Sequence, residues 1–109
     1  MIHEAIPPGT LDMLILQTLA RGGRLHGFEI AEAIQERSEE VLRVEEGSLY
    51  PALQRLLING WLNGEWGKTQ ENRRARYYRL TKAGHKQLER ELSQYHRVSE
   101  AIGKVLQPA

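Results

Sequence analysis

The sequence of 109 residues contains no cysteine, which excludes disulfide bonds and metal sites built from thiolates. No apolar run approaches the roughly 20 residues that a membrane-spanning helix requires, so we expect no membrane partner. The N-terminal residues do not form a basic segment followed by an apolar one, and we expect no signal peptide. Together these absences favour a cytoplasmic protein.

Motifs for catalysis or metal binding are also missing. The sequence has no phosphate-binding glycine loop and no nucleophile elbow. The histidines do not have the spacing of metal ligands; they are His3, His26, His85 and His96. A single small domain of this length rarely holds a cofactor. We therefore expect no enzyme activity, no cofactor and no metal site.

Charge is distributed unevenly along a chain whose formal net charge is only +1. Residues 68–86 contain seven basic residues and one acidic residue. An acidic segment precedes them, formed by Glu29, Glu32, Glu36, Glu39, Glu40, Glu45 and Glu46. A basic segment separated in this way from an acidic one indicates a surface that faces a polyanion.

The first half of the chain predicts an arm, two helices and a short extended segment. The arm covers residues 1–9, because Pro7-Pro8-Gly9 cannot start a helix. Thr10 is a predicted N-cap, and apolar residues recur behind it at helical spacing as far as Gly22-Gly23. A second helix begins near His26-Gly27, and residues 41–44 are expected to be extended.

The third helix is predicted to end at Asn59, with Gly60 as the residue that terminates it. Pro51 is tolerated only near a helix start, so we expect the regular part to begin near Ser48, whose hydroxyl would cap it. Its core-facing stripe consists of Leu49, Leu53, Leu56 and Leu57.

Two strands and a long helix follow. The strands cover residues 61–66 and 76–80, and the polar segment 67–75 between them is predicted to be a flexible hairpin tip. Thr81 should cap a last helix that ends near Leu106. The fold class is mainly α with a small β-hairpin, a winged helix-turn-helix. Residues 1–80 form the winged-helix region with its arm and residues 81–109 the dimerisation helix, in one compact domain.

The third helix has a face suited to DNA. Ser48, Pro51, Arg55 and Ile58 point away from the leucine stripe, and Tyr50 and Gln54 lie on its flanks. Small residues at positions 48, 51 and 52 would allow close approach to a groove. Gln54 and Arg55 can read base edges, and Ser48 or Tyr50 can bind a phosphate. An ordinary amphipathic helix with a solvated face explains the same pattern equally well.

The hairpin supplies positive charge beside that helix. The predicted wing contacts to DNA are Lys68, Arg73, Arg74 and Arg76; the alternative is a solvated run of charge. Strand alternation predicts that either Tyr77 or Tyr78 packs on the core while the other faces outward. Trp61 and Trp66 are expected to pack near the base of the wing.

The last helix carries a heptad seam. Its members are Leu88, Leu92, Tyr95, Ser99, Ile102 and Leu106, at spacings of 4, 3, 4, 3 and 4. A stripe that continues past the rest of the domain favours a dimer interface in which Ser99 interrupts the seam. The alternative is that this helix packs back onto the first helix.

Two motifs of this chain resemble those of PadR-like transcriptional regulators. Residues 46–56 resemble the family's GTLYPxLxRL signature, and residues 72–84 resemble its RRxxYYxLTxxG signature. Residues 14–19 and 26–30 agree with the family's first helices, the latter being similar to HGYEI. The likeness extends over residues 10–90 without large gaps.

The resemblance implies a bacterial, homodimeric winged-helix repressor that binds a palindromic operator through residues 46–59 and the wing 67–76. Family members typically control genes of phenolic-acid detoxification or drug efflux, and a small aromatic or drug-like effector releases them from DNA. In some, that effector stacks on a tryptophan of the last helix. Residues 81–109 contain no tryptophan; Tyr95 and His96 are aromatic-type side chains that the last helix offers instead.

Other functions remain open at this point. A winged-helix protein-protein interaction module without DNA binding would have an apolar outer face on the third helix and wing. A small-molecule sensor would need a cavity at the dimer seam. The basic residues of the wing favour double-stranded DNA as the partner.

Overall fold

The computed structural model describes residues 3–109, and its element order is the predicted one with additional short strands. The helices are α1 (Leu11–Gly22), α2 (Gly27–Arg37), α3 (Glu46–Ile58) and α4 (Lys82–Leu106). The strands are β1 (Glu4–Ala5), β2 (Leu25–His26), β3 (Leu42–Arg43), β4 (Leu62–Lys68) and β5 (Arg74–Leu80). The predicted fold class, mainly α with a small hairpin, is confirmed.

Local signals fix the ends of the first two helices. Thr10 is the N-cap residue of α1 as predicted, but its hydroxyl donates to the carbonyl of Pro7 at 2.8 Å and accepts no hydrogen bond from the helix amides. His26 caps α2: its Nδ1 accepts from the Glu29 amide, and the Glu29 carboxylate accepts from the His26 amide.

Among the described residues, no helix is long and apolar enough to cross a membrane.

Helix α3 begins two residues earlier than predicted. Glu45 is the N-cap residue, its carbonyl accepts from the amides of Ser48 and Leu49, and no side-chain hydrogen bond caps the helix. The predicted cap by the Ser48 hydroxyl is therefore wrong. Pro51 lies inside the helix, where it leaves the exposed carbonyl of Gly47 without its usual helical partner. The predicted end is confirmed, with Gly60 at φ 76°.

The hairpin is longer and tighter than predicted. β4 pairs antiparallel with β5 from Leu62–Leu80 to Lys68–Arg74. The Thr69 amide donates to the Arg73 carbonyl at 2.8 Å, and Asn72 takes φ 62°. This is a three-residue loop with a left-handed last position, so the predicted flexible tip of residues 67–75 is wrong.

Two-residue strands join the remaining segments. β2 pairs antiparallel with β5, which gives a sheet of order β2-β5-β4. β1 pairs in parallel with β3, so residues 4–5 of the predicted arm are attached to the domain, while residues 1–2 lie outside the described residues. The extended segment expected at 41–44 contains β3.

The core lies between the helices and one face of the sheet. Leu49, Leu53 and Leu56 of α3 are buried there as predicted, and Leu57 is half-buried. Ala52 is also fully buried, so it does not belong to the outer face where we expected it. Its small side chain allows close packing inside the protein and gives no access to a groove.

Helix α4 is fixed to the sheet at its start. The Thr81 hydroxyl accepts from the Gly84 amide at 3.0 Å and donates to the Gly60 carbonyl at 2.7 Å, which confirms the predicted cap. A Cβ atom on Gly84 would overlap the backbone carbonyl of Trp61. Only glycine allows the helix to approach the end of α3 this closely.

We expect Gly84→Ala to lower the free energy of unfolding by about 1–3 kcal/mol or more, because the added methyl meets backbone. Gly103→Ala on the same helix is the control, since nothing lies within 4 Å of its added Cβ. That control should raise stability by up to about 1 kcal/mol. Urea unfolding of the two variants measures both effects, and equal stabilities would contradict the close approach at Gly84.

Candidate nucleic-acid interface

The exposed face of α3 lies opposite its buried stripe. Helical geometry directs Gly47, Pro51, Gln54 and Ile58 away from the core, and all four are exposed. Ser48 and Tyr50 are exposed on opposite flanks. Of the predicted contacts, Pro51 and Gln54 therefore lie nearest the centre of this face, while Ser48 and Tyr50 border it.

Arg55 does not project freely from this face. Its Nη2 donates to Oδ1 of Asp12 on α1 at 2.9 Å, and the two side chains are 58% and 28% exposed. Asp12 lies 43 residues away, so the sequence pattern gave no sign of the pair. In this conformation the guanidinium is turned toward α1.

Tyr50 lies where α3, α2 and the sheet meet. A Cβ atom added to Gly27 at the start of α2 would lie 3.1 Å from the Tyr50 hydroxyl oxygen, so glycine provides room for the phenol. Burial raises the pKa of the Tyr78 phenol above its ordinary value, Arg76 opposes that shift and Tyr50 adds to it. Tyr50, Tyr78 and Arg76 thus approach one another at the base of the wing.

One face of the wing carries most of its positive charge. Pairing across β4 and β5 joins Trp66 to Arg76 and Lys68 to Arg74, on the same face as the buried residues Leu62 and Tyr78. This basic wing face therefore extends the core face of the sheet beyond the core. Lys68 and Arg74 are exposed on it, and Arg73 is exposed at the turn.

Trp66 lies among these charges. It is 59% exposed, and the guanidinium carbon of Arg74 is 4.3 Å from the centroid of its ring. The expectation that Trp66 packs at the base of the wing is wrong. Trp66 lies four residues beyond the buried Leu62 on β4, which places it outside the core. Trp61 is half-buried against the core, as expected.

Arg76 lies lower on the same face and is half-buried. A Cβ atom on Gly64 would lie 2.7 Å from its Nε and 3.2 Å from its guanidinium carbon, so the guanidinium group lies across that glycine. Its Nε is buried and has no hydrogen-bond partner within residues 3–109. The Arg76 side chain thus points toward the base of the wing and not toward its tip.

The opposite face of the wing carries an ion pair and a buried tyrosine, with Arg79 exposed beside them. Arg24 donates to the Glu65 carboxylate at 2.6 Å, and its guanidinium carbon is 3.8 Å from the Tyr77 ring centroid. The hydrogen bond and the charge of Arg24 lower the pKa of the Glu65 carboxyl. Tyr77 lies on the other face from Tyr78 as alternation requires, but it is buried rather than exposed as expected.

Acidic side chains border the tip of the wing on the α2 side. Glu29 and Glu32 of α2 line a cleft together with Lys68 and Arg73 of the wing. Carboxylates at this position disfavour a phosphate chain. Negative charge therefore lies on the α2 side of the wing, and positive charge on the basic wing face.

The predicted seam of α4 divides into two parts. Leu88 is buried in the core and Leu92 packs against it, so Leu88 contributes to the domain itself and has little surface for a partner. Beyond them, Ser99 is half-buried, while Tyr95, Ile102 and Leu106 are exposed. Val98 and Val105, which the heptad assignment missed, extend the same stripe and are also exposed.

The fold, the exposed third helix and the basic hairpin beside it define a winged helix-turn-helix protein. The chain belongs to the PadR-like family of transcriptional regulators, whose model matches residues 15–90. This confirms the resemblance seen in the motifs. The protein is a transcriptional regulator and not an enzyme.

Solved structures support this classification. A transcriptional regulator from Clostridium thermocellum is 29% identical, with 91% of this chain and 95% of that chain covered at a TM-score of 0.83. A PadR family regulator from Eggerthella lenta is 29% identical, with 93% and 85% covered at 0.78. Bacillus subtilis PadR in complex with operator DNA is 25% identical, with 76% and 47% covered at 0.67.

The Asp12–Arg55 pair should be weak because both groups reach solvent. We expect a coupling free energy of about 0.2–1 kcal/mol from a double-mutant cycle of Asp12→Ala and Arg55→Ala in urea unfolding. Such a value leaves Arg55 free to exchange Asp12 for another partner. A coupling free energy above about 3 kcal/mol would instead identify a strong, buried ion pair that keeps Arg55 bound to Asp12 of α1.

Proposed function

We propose that the protein is a homodimeric repressor that binds a palindromic operator in double-stranded DNA. The observation that carries this proposal is the position of the basic wing face, which continues the sheet face whose Leu62 and Tyr78 pack in the same core as the leucines of α3. A duplex whose major groove receives α3 would then have a phosphate strand beside Lys68, Arg73 and Arg74, with Arg76 on the same face nearer the base of the wing. The operator complex of Bacillus subtilis PadR supports the same partner for this chain.

The residues of α3 would have different roles at the DNA. Gln54 faces outward and its amide suits an adenine edge, whereas Arg55 would leave Asp12 to reach a guanine. Ser48 and Tyr50 border the exposed face, where phosphates would pass. Pro51 has no side-chain donor and contributes a flat surface that allows close approach. A repressor with these contacts acts on the chromosome, hence in the cytoplasm.

Dimerisation is assigned to the second half of α4, within the dimerisation segment 81–109. Residues 95–106 expose an apolar stripe for which the domain offers no cover: Tyr95, Val98, Ile102, Val105 and Leu106. Burial of large apolar side chains is worth about 1.5–3 kcal/mol each, so a second copy of the same helix is a favourable partner. Leu92 lies at the start of this seam, and Ser99 lies within it.

A small aromatic effector would act at the same end of the molecule. Pro8, Met13, Tyr95 and Val98 line a hollow between the start of α1 and α4. A flat ligand that binds there against Tyr95 would change how α4 meets its partner. The spacing of the two recognition helices, and with it operator affinity, would change as well.

Operator affinity should fall steeply as salt rises. Each neutralised phosphate should contribute roughly −0.9 to the slope of log K against log salt. We expect Arg74→Ala to reduce that slope by about one unit. Arg79→Ala is the matched control, since Arg79 is exposed on the same strand but on the opposite face. The measurement is fluorescence anisotropy with a duplex selected from random DNA.

The salt slope should therefore change in Arg74→Ala and stay that of the wild type in Arg79→Ala. Equal slopes for both variants and the wild type would contradict the assignment of the basic wing face. A wild-type protein that selects no duplex, or that binds with no salt dependence, would contradict DNA binding itself.

The dimer can be tested with single substitutions. Ile102→Glu introduces a charge into the centre of the exposed stripe and should give a monomer, whereas Ser93→Glu on the polar side of α4 should remain a dimer. Sedimentation at micromolar concentration distinguishes the two. A wild-type monomer, or a dimeric Ile102→Glu variant, would show that the seam is assigned wrongly.

A further inference from the structure

The basic wing face places its two strand arginines against residues of the facing strand. Arg74 and Arg76 lie on this face with Trp66 and Gly64, which belong to the facing strand. Arg74 lies over the Trp66 ring, and Arg76 lies across Gly64 with its guanidinium carbon 6.0 Å from the centroid of the same ring. Each contact restricts a side chain that otherwise has many rotamers.

Trp66 orders Arg74. The guanidinium lies over an indole that is itself 59% exposed, at 4.3 Å from the ring centroid. A tryptophan that is more than half exposed contributes little to the core, so its burial does not explain its presence. Its large flat ring is the best aromatic surface for a cation, and it leaves the edge of the guanidinium free for a phosphate.

Gly64 orders Arg76. The absence of a side chain there allows the guanidinium to lie across β4. A methyl group at this position would overlap Nε, and the arginine would have to swing away. The φ of Gly64 is not in the left-handed region, so the backbone itself does not require glycine.

We propose that Trp66 and Gly64 are positioning residues for DNA binding, which hold Arg74 and Arg76 toward the duplex before it arrives. The inference rests on the proposed function. Immobilising a flexible side chain at an interface costs free energy on binding, and a side chain that is already ordered avoids most of this cost. Neither residue needs to touch DNA for this effect.

Trp66→Ala should therefore weaken operator binding by roughly two- to tenfold, the equivalent of ordering one side chain. The salt slope should remain that of the wild type, because the charge of Arg74 is still present and still neutralises a phosphate. Trp66→Phe retains an aromatic face and should recover most of the affinity. Trp66→Ala added to the Arg74→Ala, Arg76→Ala double variant should cause no further loss.

Gly64→Ala should weaken binding to the extent that Arg76→Ala does, and the double variant should be no weaker than Arg76→Ala alone. Asn63→Ala, at an exposed position on the opposite face of the same strand, should bind as the wild type does. Urea unfolding of Gly64→Ala establishes that the fold is retained. In the free protein, the Arg74 Nε–Hε NMR signal should be shifted by the indole ring and should lose that shift in Trp66→Ala.

Several results would overturn the inference. A further loss when Trp66→Ala is added to the Arg74→Ala, Arg76→Ala double variant would mean that Trp66 contacts DNA itself. Wild-type affinity of Trp66→Ala and Gly64→Ala, while Arg74→Ala is weaker, would remove the positioning role and leave the proposed function intact. A wild-type protein that selects no duplex would remove both.

Discussion

The register of the β4–β5 hairpin determines which side chains of the wing can meet a nucleic acid. Leu62 and Leu80 pair at its base, where the sheet covers the core, and each further step of two residues stays on the same face. That face begins with buried apolar side chains and continues, past the core, as the basic wing face. A slip of one residue would move every one of these charges to the side that Arg24 and Tyr77 occupy.

Contacts at both ends protect this register. The tight turn at Asn72 sets the pairing at the tip. At the other end β2 adds a third strand, and Arg24 joins that strand to Glu65 and Tyr77 of the hairpin. α4 then begins immediately after β5, with Gly84 against the Trp61 carbonyl, so the wing, α3 and α4 are held in one arrangement. The exposed stripe of α4 projects from this unit and would carry a second copy of it.

Periodic patterns predicted the large elements correctly, because α3 and α4 are long enough for an apolar stripe and a cap to recur. The strands β1 and β2 have two residues each, too short to carry a period. The ion pairs of Arg55 and Arg24 could not be predicted for another reason. Their partners lie 43 and 41 residues away in the sequence, and only the fold brings them together. Trp66 could have been found by counting alternate residues from Leu62 past the end of the core.

The central claim is that DNA lies against α3 and the basic wing face. The most direct measurement is the change of backbone and side-chain NMR signals when a selected duplex is added to the intact protein. The account predicts the largest changes at Gln54 and Tyr50 of α3 and at Lys68 and Arg74 of the wing, with little change at Arg24, Arg79 or the acidic residues of α2. Changes concentrated on α2 or on the opposite face of the wing would contradict it.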